Sequence, residues 1–277
     1  MYLTHWGLEC SPFEAKVDLK SYYPSDSHQA AALKLNYAIE QRRSVALLCG
    51  DSGLGKSMIL ESCLQQLADD FSPIARVVYP AMPPDSLLKH IVRQIGPRES
   101  EPQMDMASVV EGMERILRHN IGNGLHAVIA IDEAHLLQQY GSLDALRLIL
   151  NLASDACATE SALTLVLCGS TSLVSHVAKN ASLEDRVAVR CVLERFTLDD
   201  TVAYISHRLR AAGCLNEGIF MSRASETIQL LSQGVPRRIN RLCDLALMIG
   251  FAQDRTKIES STIEAAHAEL SSFRQIA

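Results

Sequence analysis

Gly50-Asp-Ser-Gly-Leu-Gly-Lys-Ser57 has the spacing of a phosphate-binding loop: a glycine, four residues, then Gly-Lys-Ser. It directly follows an apolar strand-like run and directly precedes a helix-like one. Glycines at 50, 53 and 55 let the backbone turn sharply with its amides facing phosphate oxygens. A helix opening near Lys56 aims its positive dipole end at the same anion. Lys56 then reaches the β- and γ-phosphates, and the Ser57 hydroxyl takes a Mg²⁺ coordination place. The expected nucleotide-binding set is Gly50, Asp51, Ser52, Gly53, Leu54, Gly55, Lys56, Ser57 and Met58. Ala127-Val-Ile-Ala-Ile-Asp-Glu-Ala-His135 is an apolar run ending in two carboxylates. Asp132 at its tip suits Mg²⁺, and Glu133 suits the general base that polarises an attacking water. Water is a poor nucleophile, so a hydrolase needs that second carboxylate.

A third tip, after Leu163–Cys168, offers Ser170 and Thr171. Either hydroxyl would touch the water or the γ-phosphate if this strand lies between the other two. His135 completes an Asp-Glu-Ala-His string, which suggests a helicase. Such a motor needs two tandem α/β domains, however, and the chain holds one sheet's worth of strands. His135 is expected to cap or line the loop after its strand.

Five short β-rich runs position these groups: Val45–Cys49, Ile74–Tyr79, Ala127–Ile131, Leu163–Cys168 and Val189–Leu193. Runs this apolar read as strands covered on both faces. Helical patterns alternate with them at Lys56–Ala68, Ser86–Ile95, Ala107–His119 and Leu143–Ala153, which predicts an α/β fold with a five-stranded parallel sheet and crossover helices. After residue 195 the pattern becomes all-helical. Thr197-Leu-Asp-Asp200 is a capping box, with Gly213 as the stop of its helix. Ser222–Ser232 is a second helix closed by Gly234, Pro236 opens a third, and Ser261-Thr-Ile-Glu264 caps a fourth. The expected organisation is a nucleotide-binding α/β domain over 1–195 and a helical lid domain over 196–277. Arg98–Asp105 is expected to be a mobile link.

The 277 residues carry 26 Lys+Arg against 32 Asp+Glu, a formal charge of −6. An acidic average argues against a general electrostatic sink for nucleic acid. No run approaches the ~18 apolar residues of a membrane span, and the N-terminus lacks a signal-peptide pattern. Eight cysteines at 10, 49, 63, 157, 168, 191, 214 and 243 form no Cys-x-x-Cys pair and mostly sit in apolar runs. They read as reduced, buried thiols of a cytoplasmic protein.

The chain resembles the AAA+ ATPases and, within them, the ExeA/GspA-like group linked to general secretion, related to origin-recognition-like and transposition-helper ATPases. The likeness is carried by Met1-Tyr-Leu, Trp6-Gly-Leu, Pro12-Phe13, Tyr23-Pro-Ser-Asp-Ser-His28, the phosphate loop, Asp132-Glu133, Leu183-Glu-Asp-Arg-Val187 and Gly234-Val-Pro-Arg-Arg-Ile-Asn-Arg-Leu-Cys-Asp244. The resemblance implies that Arg237 is the second sensor of its own subunit's γ-phosphate. It implies that Arg186, or else Arg190, is an arginine finger given to a neighbour, and that Tyr23–His28 lines the adenine pocket. The first sensor departs from the family, which commonly has a Gln-Pro-Glu-like string where this chain has Ser170-Thr-Ser172. Secretion-type relatives continue into a membrane span and a wall-binding domain. This sequence stops at Ala277, so it is expected to reach its client without an anchor of its own.

Two functions follow. One is a Mg²⁺-dependent ATPase, a homo-oligomeric ring or filament that works on an unidentified protein partner. The other is a nucleotide-controlled helper for which duplex DNA is the candidate partner, with Arg237, Arg238 and Arg241 as local positive charge. A small-molecule kinase fits poorly beside a helical lid.

Overall fold

A computed structural model describes residues 2–14, 22–96, 105–156, 161–214 and 218–272. It divides into two compact units. One comprises Ser27–Ser52 and Ile59–Leu193; the other comprises Met1–Asp26, Gly53–Met58 and Glu194–Ala277.

The first unit is a parallel five-stranded sheet in the order β2-β3-β4-β1-β5, from Val45–Cys49 (β1), Ile74–Val77 (β2), Ala127–Ile131 (β3), Leu163–Gly169 (β4) and Val187–Val192 (β5). Every residue of β1, β3 and β4 is buried, whereas the two outer strands alternate exposed and covered positions. That difference is the one between strands sandwiched by helices and strands with a free edge. Packed against the sheet are Pro84–Ile95 (α4), Met106–Gly122 (α5) and Leu143–Ala156 (α6). Their apolar stripes, such as Leu87, Ile91, Val109, Met113, Leu146 and Leu150, join the strand side chains in one core. Asp26–Glu40 (α2) buries Leu35, Ala38 and Ile39, and Lys56–Gln65 (α3) follows the phosphate loop. Short helices at Ser172–Ala178 (α7) and Ala181–Glu184 (α8) lead into β5.

The second unit is helical: Tyr2–Trp6 (α1), Leu198–Ala211 (α9), Ser222–Ser232 (α10), Pro236–Ala252 (α11) and Ser260–Ser272 (α12). The Thr197–Asp200 capping box is present, and Pro236 occupies the first turn of α11. The last helix opens at Ser260, where Glu259 O accepts from Thr262 and Ile263, so Ser261 lies inside the helix and is not its cap. The helical core also takes in Trp6, Leu8 and Phe13. The N-terminal stretch is therefore tied to the helices after residue 194. The Trp6 indole donates to Leu247 O at 3.1 Å, and the buried Arg208 guanidinium is satisfied by Pro12 O and Glu14 O. Local periodicity carries no trace of a pairing between residues some 200 positions apart.

Of the expected link Arg98–Asp105, all but Asp105 lies outside the described residues. Asp105 itself is the N-cap of α5, accepting from Ser108 N at 2.8 Å. Seven described cysteines are free thiols, and all but Cys10 are buried. Burial pushes the Cys63 thiol up to about 11, which leaves it unreactive near neutrality.

One buried polar group gives the sheet a pH dependence. His126, next to β3, has Nε2 2.8 Å from Thr164 Oγ1, and that hydroxyl donates to Arg43 O at 2.7 Å. The hydroxyl proton is thus spent, so Nε2 carries the proton it donates. Burial, with the Arg42 charge second, pushes His126 from its ordinary 6.5 down to about 4. In acid the unfolded chain takes up this proton before the folded one does. Stability is unaffected above pH 6.5, falls between pH 6.5 and 4, and levels off below. His126→Gln, which keeps a donor at the Nε2 position, should remove up to about 3 kcal/mol of that acid loss. Urea denaturation followed by circular dichroism across this pH range measures it; an unchanged slope would contradict the assignment.

Candidate active site

In the α/β unit, β4 lies between β3 and β1, the condition under which its tip bears on both neighbours. The registers Ile131↔Leu167 and Cys49↔Gly169 bring the carboxyl ends of the three strands to one edge. Open parallel sheets place ligands at that edge. The Gly50 N–H donates to Gly169 O at 3.2 Å, so the phosphate loop leaves β1 beside the β4 tip. Asp132, 5% exposed, extends the ladder by donating its N–H to Val77 O at 2.8 Å. Its Oδ1 accepts the Glu133 N–H at 2.9 Å.

Glu133 follows at φ 49°, ψ 34°, in the left-handed region. A non-glycine residue held there costs about 1 kcal/mol or more. Such strain is kept where surrounding structure enforces it, here a 3-10 turn over Ala134–Tyr140 anchored in the core by Ala134 and Leu137. The Glu133 carboxylate stays half-exposed. Its Oε2 lies 3.3 Å from His135 Nδ1. Ser170 donates its backbone N–H to the same nitrogen at 3.4 Å, and its hydroxyl pairs with Ser172 at 2.8 Å. His135 does line the loop after its strand, but it also lies against the Glu133 carboxylate and the β4 tip. The Asp-Glu-x-His spacing was the available signal, and only packing reveals the partner across the sheet.

In the helical unit, Gly53 and Gly55 have φ of +90° and +91°. Lys56 is 6% exposed and opens α3, with Ser57 behind it. A nearly buried ammonium following two left-handed glycines suits a polyphosphate, and the Ser57 hydroxyl is a hard oxygen donor of the kind Mg²⁺ takes. Arg237, second residue of α11, donates its N–H to Gly53 O at 3.2 Å. The start of the lid helix therefore lies against the phosphate loop itself, a contact with no sequence signal. Tyr23 packs its ring against Phe196, Tyr204 and His207. In the α/β unit, His28 is buried within α2 rather than preceding it, because that helix opens at Asp26.

The two finger candidates differ. The Arg190 guanidinium is paired with Glu184. The Arg186 guanidinium donates to the neutral Asn151, at 2.7 Å, and its Nη1 is buried with no hydrogen-bond partner among the described residues.

A Cβ on Gly53 would fall 2.8 Å from Arg237 Cβ and 3.1 Å from Val235 Cγ1, at a φ that L side chains avoid. Gly53→Ala should cost the helical unit about 1–3 kcal/mol. Thermal unfolding read by fluorescence of Trp6, the single tryptophan, checks this; an unshifted melt would refute the close approach.

A family model described as an AAA domain matches residues 39–176. The chain is 32% identical over 278 residues to general secretion pathway protein A of Aeromonas hydrophila, covering 99% of this chain and 49% of that protein. It thus spans about half the length of the curated relative it matches. Among solved structures, the ORC2 protein of Aeropyrum pernix (ADPNP-ADP complexes) is similar with TM-score 0.68 at 14% identity, over 94% of this chain and 72% of that one. Cdc6p from Pyrobaculum aerophilum gives 0.69 at 16%, over 94% and 70%. The RuvB Holliday junction branch migration motor of Thermotoga maritima gives 0.56 at 19%, over 88% and 68%. At these identities the likeness is one of fold.

Proposed function

We propose that this chain, which belongs to the AAA+ ATPases in the group of general secretion pathway protein A, binds ATP with Mg²⁺, hydrolyses it, and assembles with copies of itself to act on a partner. The observation that carries the reading is the sheet order: the strand that runs into Asp132-Glu133 is separated by β4 alone from the strand that feeds the phosphate loop.

Each residue then has a task. Amides from Gly50 to Met58 hold the phosphates, and Lys56 neutralises the terminal ones. Ser57 and Asp132 offer oxygen to Mg²⁺, which when bound offsets charge on the β- and γ-phosphates. Glu133 accepts the proton of the attacking water. Ser170, or Thr171 beside it, supplies a hydroxyl at the β4 tip. Arg237 answers the γ-phosphate of its own subunit, which its anchoring to Gly53 supports. Arg186 is favoured over Arg190 as the finger offered to a neighbouring subunit, since its guanidinium meets the neutral Asn151 whereas that of Arg190 is held by the Glu184 carboxylate. Tyr23–His28 stays the proposed adenine-lining segment. No described helix is long and apolar enough to cross a membrane; a cytoplasmic place of action stays part of the proposal.

Glu133→Gln should keep ATP binding and slow turnover ~10²–10⁴-fold, the usual worth of a general base. Unchanged phosphate release in that variant removes Glu133 from the mechanism. For the shared site, Arg186→Ala mixed with Lys56→Ala should recover turnover that neither has alone, because one subunit keeps the phosphate loop and the other the finger. No recovery argues against action in trans. Sedimentation with and without a slowly hydrolysed ATP analogue, repeated with duplex DNA, reads assembly and separates a DNA helper from a motor acting on protein.

A further inference from the structure

His135 Nδ1 faces two partners at once. Glu133 Oε2 lies 3.3 Å away and the Ser170 amide nitrogen 3.4 Å away. One imidazole nitrogen cannot accept an N–H and donate to a carboxylate simultaneously. With a lone pair on Nδ1, the ring takes the Ser170 amide and leaves Glu133. With a proton on Nδ1, the ring donates to Glu133 and leaves Ser170. Both tautomers are neutral, so the exchange needs no net proton uptake.

The closeness is built in. Gly169 has no side chain, and a Cβ there would come 3.1 Å from His135 N and 3.4 Å from its Nδ1. On the other side, the 3-10 turn anchored by Ala134 and Leu137 and the left-handed Glu133 backbone hold the ring and the carboxylate on one short loop. Ring and carboxylate are 25% and 48% exposed, so neither is locked in the core and both can change partner.

We propose that His135 is a positioning residue for Glu133, and that the choice of partner at Nδ1 couples the tip of β4 to the general base on β3. A ligand group that engages the Ser170 amide frees Nδ1, which then orients the Glu133 carboxylate. The inference rests on the hydrolytic reading above and adds to it the element that sets the base.

The amide of an asparagine at 135 falls where Nδ1 is, whereas that of a glutamine falls near Nε2. His135→Asn should therefore keep ATP turnover within about threefold of the parent. His135→Gln and His135→Ala should lose about tenfold in kcat, the worth of one well-placed hydrogen bond to a charged group, with KM for ATP unchanged. Equal rates for Asn and Gln, or an unaffected Ala variant, overturn the proposal. A second readout needs no turnover. In the full chain, the His135 ring ¹⁵N signals, identified by their loss in His135→Asn, should show a moved Nδ1 resonance in Glu133→Ala. An unmoved Nδ1 overturns the coupling. A parent protein that releases no phosphate from ATP, yet shows the moved resonance, sinks the hydrolytic reading while the contact survives.

Discussion

Three adjacent parallel strands ending at a common edge are the constraint on which the candidate site depends. Parallel registers resist slippage here because a one-residue shift would carry every side chain into the opposite, already close-packed layer. With β1, β3 and β4 buried throughout, their ends are held at one level. Gly50, Asp132 and Ser170 each follow directly from such an end. The chemistry is thus carried by loops, while its placement comes from a ladder that tolerates little change.

Function in this molecule is set against stability. Lys56 and Asp132 are nearly buried charges, which a core built for stability alone would replace with apolar groups. Glu133 occupies a backbone region that favours glycine, although glycine has no carboxylate to offer. His135 is exposed enough to move beside the residue it contacts. These departures gather within a few residues of the strand tips, and the rest of the sheet is apolar and closely paired.

The helical unit shows a different kind of constraint. Gly53 admits the start of α11 because it has no side chain, and Gly234 similarly lies where a Cβ would be 2.1 Å from Phe196 O. A signature glycine therefore has two roles: freeing the loop backbone and making room for the helix that carries Arg237. Trp6 and Phe13 complete the same core from the far end of the chain.

Much of this was legible beforehand because it is local. The phosphate loop, the Asp132-Glu133 tip, the capping box at Thr197 and the all-apolar strands Val45–Cys49 and Ala127–Ile131 are written in adjacent residues, whose backbone preferences and periodicity act over a few positions. Strand ends shifted where edge exposure decides them, as at β2, which ends at Val77, and β5, which begins at Val187. The packing of the N-terminal stretch with the lid helices, the lid arginine's amide on Gly53, the Asn151 partner of the Arg186 guanidinium and the shared nitrogen of His135 join residues tens to hundreds of positions apart. Spacing within one chain has no term for such pairs. They exist only once strand order and burial have chosen which distant side chains meet.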